Sequence, residues 1–552
     1  MSSHEKPFYI TTPIFYVNAA PHVGHLSTMV LADVLKRWQL LRGKQAILAT
    51  GTDEHGLKIQ QASAKAGEDP KPFCDKGAAV FQNLAARANI SNDHFVRTTD
   101  SAHKEAVQYA WLLLKAKGYI YASKHEGWYS VSDETYYPDS AVHLTVEPET
   151  GRKMMTSKET GKEVEWTTEI NYRFKLSAFR DRLLKFYEEN PGWIVPQARM
   201  DDIVSQVTSG LEDLSISRPY SRLQWGIRVP DDDDQTIYVW LDALLNYATK
   251  VGYPWQPGQE HVGGWPADCH VIGKDITRFH CIYWPAFLMA LSLPLPKRIL
   301  TTAHWTMSNQ KMSKSVGNVV DPFTALDRFG PDTMRYYLAR DGGIADDADY
   351  SNYFVVERHK KGLQGGLGNL ASRITKGKGW SVRRALEYQQ ENPHGLESLE
   401  HAAREEGEAL QNTLGALAET AEQHMAKLDV SGALKTIMEA VHQTNRFLQL
   451  AEPWKYTQKL RGEIVVFPVD EPPLHSTIYL CAEALRIVGI LLQPWMPDKS
   501  AELLDMLSVD PQRRSIEWAR PDADNTYGRQ QGLHTNPSAY PQVSSQVPTV
   551  AS

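Results

Sequence analysis

The chain opens on an apolar stretch, "FYITTPIFYV", whose continuous β-branched and aromatic text predicts a strand. "HVGHLSTMVLADVLKRWQLLRG" follows with helical spacing: Leu31, Leu35 and Trp38 fall on one side and Gly43 marks a stop. "QAILATGTDEHG" is a second strand that runs into a loop, and "LKIQQASAKAG" begins another helix. This alternation is the rhythm of a parallel sheet covered on both faces. From about residue 118 it breaks. Gly, Asp, Ser and aromatic letters dominate, with short strand-like pieces such as "EGWYSV" and the turn-rich "EPETGRKMMTSKETGKE", which together predict an inserted domain. The insert ends near the acidic run at 231–234, read as a solvated loop. The sheet pattern returns in "TIYVWLDALL", "DCHVIGKD" and "RILTTAHW", three strand-plus-turn units. Beyond about 360 the spacing is helical. Leu410, Leu414, Leu417, Ala421 and Met425 recur every three or four residues, as do Leu434, Ile437, Val441 and Leu448, which predicts an antiparallel bundle. From 521 the text is polar and rich in Pro, Ser and Gln, as expected of a disordered tail.

Composition narrows this picture. The 552 residues are too many for one core, and 42% hydrophobic with 10% aromatic content suits well-packed domains. No apolar run approaches the roughly 18 residues that cross a bilayer. Cys74, Cys269, Cys281 and Cys481 are far apart, with no CxxC pair, so neither a disulfide framework nor a thiolate metal site is expected. A net charge of −7 argues against broad coating of nucleic acid or anionic membrane, though a local basic groove fits it. The first residues enter the strand quickly, with neither a secretory nor an Arg-rich presequence pattern.

Two short motifs carry the chemistry. "PHVGH" at 21–25 falls between the first strand and the first helix, where a helix N-terminus offers unpaired N–H groups to anions. His22 and His25 are three apart, so they share one face and can both donate to phosphate oxygens, and Gly24 lets a ligand approach the backbone. The second motif, "NQKMSKSVGN" at 309–318, places Lys311, Ser313, Lys314 and Ser315 before Gly317. Alone it reads equally as a solvated turn or as a mobile clamp for a triphosphate.

An HxGH after the first strand and a KMSKS after the last sheet unit resemble the signature of class I aminoacyl-tRNA synthetases. "TTPIFYVN", "GTDEHG", "YVWLDALLNY", "VIGKDITRFHCIYWPA", "NLASR" and "LAEPW" are similar to the methionyl-tRNA synthetase family, over nearly the whole chain to about 520. The resemblance implies an α/β fold: a Rossmann-like catalytic domain in two halves, 1–117 and 236–308, interrupted by a connective domain at 118–235. A KMSKS-loop and stem-contact region at 309–360, an α-helical anticodon-binding domain at 361–520 and the tail at 521–552 complete it. It also implies residue roles. ATP is handled by His22, Gly24, His25, Gly273, Asp275, Lys311, Ser313 and Lys314, with His22, His25, Lys311 and Lys314 acting on the phosphates. Methionine is held by Ile14, Tyr16, Asp53, Trp240, Ala243, Tyr247, Ile276 and His280: Asp53 pairs with the ammonium, and apolar and aromatic walls suit the thioether. Here Trp240 is read as lying inside the strand "IYVWLD". Asn369, Arg373 and Trp454 read the anticodon of tRNAMet, an amide, a guanidinium and a stacking platform for unstacked bases.

The implied reaction is attack of the methionine carboxylate on the α-phosphorus of ATP, then transfer of the methionyl group to the tRNA 3′ end. Magnesium arrives with ATP. Many family members carry Cys-rich zinc knuckles in the insert; here "EGWYSVSDETYYP" offers Ser130, Ser132 and Asp133, so no zinc is expected. That form resembles mitochondrial and some bacterial members, and a monomer without membrane partners in the mitochondrial matrix, or alternatively a bacterial cytosol, is expected. Synthetases for isoleucine, valine and leucine usually carry a larger editing insertion and the cysteine enzyme a zinc–thiolate site, and this chain has neither. A silent RNA-binding homologue is expected to lose His22, His25 or Lys314. A small nucleotidyltransferase has no use for the long helical domain.

Overall fold

The computed structural model describes residues 6–131, 133, 135–147, 151–256, 258–312, 318–377, 379–457, 471–529 and 540. The chain forms two compact units. One holds the first strand with Ile47–Ala85 and Asn92–Thr302; the other holds His22–Ala46, Ala86–Ser91 and the described chain from Ala303 onward.

The first unit is built on a six-stranded sheet whose order is His94–Arg97, Ala46–Asp53, Phe8–Tyr16, Cys269–Gly273, Ile299–Thr302 and Ile194–Val195. Phe8–Tyr16 pairs in parallel with Cys269–Gly273, and Cys269–Gly273 with Ile299–Thr302. Ala46–Asp53 pairs in parallel with His94–Arg97, matching Thr52 to Arg97. These strands are buried on both faces, which is why they read as continuous apolar runs rather than alternating ones. The core beside them is aromatic, with Trp111, Phe174, Trp265, Trp284 and Phe287 almost wholly buried.

Three sequence readings change in this unit. "TIYVWLDALL" is not a strand with a turn. The strand stops at Ile237, Tyr238 caps, and Val239–Thr249 is a helix buried on nearly every side, so Trp240 sits on its first turn. A short wholly apolar run does not distinguish a buried strand from a buried helix by periodicity. The acidic run is not a loop: Asp232–Ile237 is the middle strand of a three-stranded sheet, flanked by Ser217–Pro219 and Arg228–Val229, although Asp233 and Asp234 point to solvent. Finally, the turn-rich part of the insert is a meander. Val142–Val146, Lys153–Ser157 and Glu163–Phe174 pair antiparallel, and Glu163–Phe174 continues onto Ile120–Ser130. At its edge Asp133 accepts from Ser130 Oγ (3.0 Å), Tyr137 OH (3.0 Å) and Thr160 Oγ1 (2.6 Å) and pairs with Lys162 (2.7 Å). Ser132 lies outside the described residues.

In the second unit Val23–Leu41 is a helix with Leu31, Leu35 and Trp38 buried, and Gly43 just beyond it takes a positive φ of 75°. Helices His401–Ala426 and Val430–Ala451 bury the periodic residues named above. Helix Pro472–Leu492 runs through this core; among the described residues it is the one helix long and apolar enough to cross a membrane, and it is buried throughout. It also contains a buried ion pair, Arg486 with Glu483. That pair corrects the expected start of the tail. Arg486 donates to the carbonyls of Trp518 (2.5 Å) and Arg520 (2.7 Å), while Glu483 accepts from Asp522 N (2.9 Å) and Tyr527 OH (2.7 Å). Residues 521–529 are therefore folded against the bundle, because a buried ion pair needs its remaining hydrogen bonds satisfied and they satisfy them. Residues 530–539 and 541–552 lie outside the described residues.

Candidate functional site

The expected amino-acid pocket lies in the first unit, around the carboxyl ends of neighbouring strands. Ile14 and Tyr16 close the strand Phe8–Tyr16, Asp53 closes Ala46–Asp53, and Gly273 closes Cys269–Gly273. In an open parallel sheet this edge is where ligands bind. Lys58 stands over the Tyr16 ring at 5.5 Å. Asp275 and Ile276 follow on a short turn, and a Cβ at Gly273 would come within 2.8 Å of Asp275 Oδ1, so glycine lets that carboxylate lie back over the strand end.

Several of these residues are joined directly. Tyr247 OH and His280 Nε2 are 2.7 Å apart, and His280 Nδ1 is 2.9 Å from the Ile276 carbonyl. A carbonyl only accepts, so Nδ1 carries the proton and Nε2 accepts from the tyrosine. Burial pushes the His280 imidazole down to about 4, leaving it neutral at physiological pH. The Tyr247 phenol is raised, first by burial and further by the nearby charge of Asp53. Tyr9 OH donates to the Tyr247 carbonyl (2.9 Å), fixing the helix against the first strand. Ala243 lies one turn before Tyr247. The arrangement is a neutral polar edge, Tyr247–His280, near one buried carboxylate, Asp53, which is only 4% exposed.

Trp240 has a partner that the sequence reading missed. Phe279 lies face to face with it, with ring centroids 3.4 Å apart and planes 7° from parallel. Phe279 precedes His280, so it was in view inside "DITRFHCIYW", but its contact with Trp240 was not. Also missed was Glu54, which is buried and bonded to both Arg97 Nε (2.6 Å) and Nη2 (2.9 Å).

The histidine motif lies in the second unit, at the start of helix Val23–Leu41. His22 is its N-cap. Gly24 N donates to His22 Nδ1 (3.0 Å), and His22 N donates to His25 Nδ1 (3.1 Å), a capping box made of imidazoles. The rings stack with centroids 3.8 Å apart. Because both Nδ1 atoms accept, each neutral ring carries its proton on Nε2, a donor suited to a phosphate oxygen. A Cβ at Gly24 would meet the His22 ring at 2.8 Å, so the glycine also makes room for the cap itself.

Lys311 opens the second motif from a β-hairpin. Gln310–Lys311 pairs antiparallel with Trp305–Met307, and Ser308 and Asn309, with φ of 54° and 58°, form the tight turn. Ser313 and Lys314 lie outside the described residues, with Ser315 and Gly317. Beyond them Val320 O accepts from Val23 N (3.2 Å), which brings the chain leaving that loop onto the first turn of the histidine helix.

The second unit also carries the three residues expected to read RNA. Asn369 is exposed on helix Asn369–Lys376, and one turn later the Arg373 guanidinium stands 5.1 Å from the Trp454 ring. Trp454 sits on the turn Pro453–Tyr456 and is 37% exposed.

Comparison with known proteins identifies the family. Residues 8–375 match the family model described as tRNA synthetases class I (M). The chain is 56% identical over 524 residues to a probable mitochondrial methionine–tRNA ligase of Neurospora crassa, covering 95% of this chain and 83% of that one. It is 41% identical over 511 residues to a methionine–tRNA ligase of Rhizobium meliloti, covering 93% of each. The structure of Mycobacterium tuberculosis methionyl-tRNA synthetase in complex with methionyl-adenylate superposes with a TM-score of 0.84 at 37% identity, over 97% of this chain and 100% of that one. The two motifs, the parallel sheet and these matches together place the chain in the class I tRNA synthetase family, methionine branch.

Proposed function

We propose that the chain joins methionine to ATP as methionyl-adenylate, releasing pyrophosphate, and then esterifies the 3′ end of tRNAMet. The observation that carries this reading is the neutral Tyr247–His280 edge near buried Asp53. A methionine side chain needs an apolar, uncharged seat and its ammonium needs a carboxylate, and this neighbourhood offers both. Trp240 with Phe279, and Ile14 and Ile276, are the apolar walls. His22 and His25 donate from Nε2 to the phosphates, and Lys311 and Lys314 meet the charge that grows on them as pyrophosphate leaves. Gly273 and Asp275 take the ribose. ATP brings Mg2+ with it. Catalysis is then alignment and charge stabilisation, without a covalent enzyme intermediate.

Methionine-dependent ATP–pyrophosphate exchange, run against all twenty amino acids without tRNA, tests this reading. Exchange with methionine alone is expected; exchange with another amino acid would keep the reaction class and refute the pocket. Relatives named as mitochondrial support work in the mitochondrion; a monomer in the matrix is the form proposed, which cell fractionation and light scattering check.

Trp454 stacks an unpaired anticodon base, with Arg373 holding the ring and Asn369 reading a base edge. Trp454→Ala is expected to raise the KM for tRNAMet by about 10-fold, in line with a lost stack of about 1–3 kcal/mol, with exchange unchanged. Collapse of exchange in the same variant would make Trp454 a folding residue instead.

A further inference from the structure

The two residues that follow Asp53 are each tied to a different element. Beyond its bond to Arg97, Glu54 accepts from Thr52 Oγ1 (2.7 Å) and Thr99 Oγ1 (2.5 Å), and its amide donates to Thr98 Oγ1 (2.9 Å). His55 turns the other way. Its Nδ1 is 2.6 Å from Asp242 Oδ2, and the second oxygen of Asp242 is 2.7 Å from His103 Nε2. His103 Nδ1 lies 2.9 Å from Thr249 Oγ1, at the end of the same helix as Asp242. All three side chains are at most 3% exposed. Burial alone would raise the Asp242 carboxyl, but His55 and His103 outweigh it and hold it below the usual carboxylate range.

A carboxylate buried between two imidazoles adds little net stability, since its desolvation offsets much of the attraction and apolar side chains would pack as well. Its value lies in what it connects. His55 is two residues from Asp53. Asp242 lies between Trp240 and Ala243 and shares a helix with Tyr247. The hydrogen bond from His55 to Asp242 is therefore a fixed strut between the strand end that carries the ammonium partner and the helix that carries the thioether wall.

We infer that His55 and Asp242 are positioning residues for methionine activation, setting the distance between Asp53 and the aromatic side of the pocket so that ammonium and thioether are seated together. The inference rests on the assignment of Asp53 to the ammonium proposed above. Held geometry of this kind is what converts bound groups into reacting ones, and a small misplacement is costly.

The test is a double-mutant cycle in the full chain, read by exchange and accompanied by thermal melts. His55→Ala is expected to lower kcat/KM for methionine by about 10-fold or more while the KM for ATP stays within about twofold. His55→Asn, which keeps an N–H donor near the Nδ1 position, is expected to recover most of the loss. In an Asp53→Asn background, His55→Ala is expected to cost less than about twofold, because the group it positions is already gone. Should His55→Ala fold poorly, the same cycle is run with Asp242→Asn, which keeps the side-chain shape. Equal losses in both backgrounds would overturn the inference and leave the Asp53 assignment standing. Wild-type exchange from Asp53→Asn alone would overturn the assignment itself, and the inference with it.

Discussion

A His22→Ala variant is expected to lose methionine-dependent exchange by on the order of 10²- to 10³-fold, the usual cost of removing one donor aimed at developing charge. His22 has two separable jobs. Its Nδ1 caps the helix by accepting from Gly24 N, and its Nε2–H is the donor proposed for ATP phosphate. Alanine removes both. His22→Asn removes only the second, because asparagine is among the best N-caps and its side-chain oxygen can take the same backbone N–H. Melting curves are therefore expected to place His22→Asn near the wild type and His22→Ala lower by about 1 kcal/mol, while exchange falls in both. Exchange restored in His22→Asn would mean that the histidine serves the helix start and not the phosphates.

The same residue shows why part of the site was legible beforehand. HxGH and KMSKS are contiguous words, and although KMSKS alone reads equally as a solvated turn, the two in order carry the family resemblance. The residues of the proposed amino-acid pocket are scattered along the chain, and only the family resemblance joined them. What neither spelling nor resemblance conveyed is how they are held. Nothing in "GTDEHG" indicates that its histidine reaches a carboxylate 187 positions away. Nor does "GKDITRFH" indicate that its phenylalanine will lie flat on Trp240. Tertiary partners of buried polar and aromatic groups are set by the packing of whole elements.

The fold was legible wherever period and punctuation agreed. The bundle helices bury the residues that their three- and four-residue spacing marks. The errors fall where a local signal was outvoted. Asp232, Asp233 and Asp234 have poor strand propensity, yet Thr236 and Ile237 behind them and two partner strands carry them into a sheet. The segment at 521–529 is polar, but Glu483 of the buried ion pair takes the Asp522 amide and the Tyr527 hydroxyl from it. In both cases hydrogen-bond demand from elsewhere in the chain decided the conformation.

An Arg335→Met variant is expected to lose about 3 kcal/mol of stability, near the lower end of the cost of breaking a buried ion pair. Arg335 and Asp33 are both fully buried and 2.6 Å apart. Burial alone would raise the Asp33 carboxyl, but Arg335 and then Arg37 hold it below the usual range. Arg37 (2.7 Å) and Ser91, through Oγ (2.6 Å) and N (2.8 Å), still support Asp33 in the variant, which moderates the loss. Arg335 also donates to the carbonyls of Trp495 (3.0 Å), Pro494 (2.8 Å), Ala88 (3.3 Å) and Asn89 (3.2 Å), so its removal strands acceptors as well as a charge. Denaturant unfolding of Arg335→Met, Asp33→Asn and the double variant separates the two effects. If the stranded charge dominates, the double variant regains most of the loss; if the carbonyls dominate, it regains little. The pH dependence follows from the depressed carboxyl. Its contribution is fully present above the unfolded carboxylate value of about 4 and disappears as pH falls through the lower folded value, so the gap between wild type and Arg335→Met is expected to close on acidification. Asp33 lies on the helix that His22 caps. A loss of exchange in Arg335→Met that exceeds its loss of folded protein would therefore mean that this ion pair also holds in register the histidines proposed to bind phosphate.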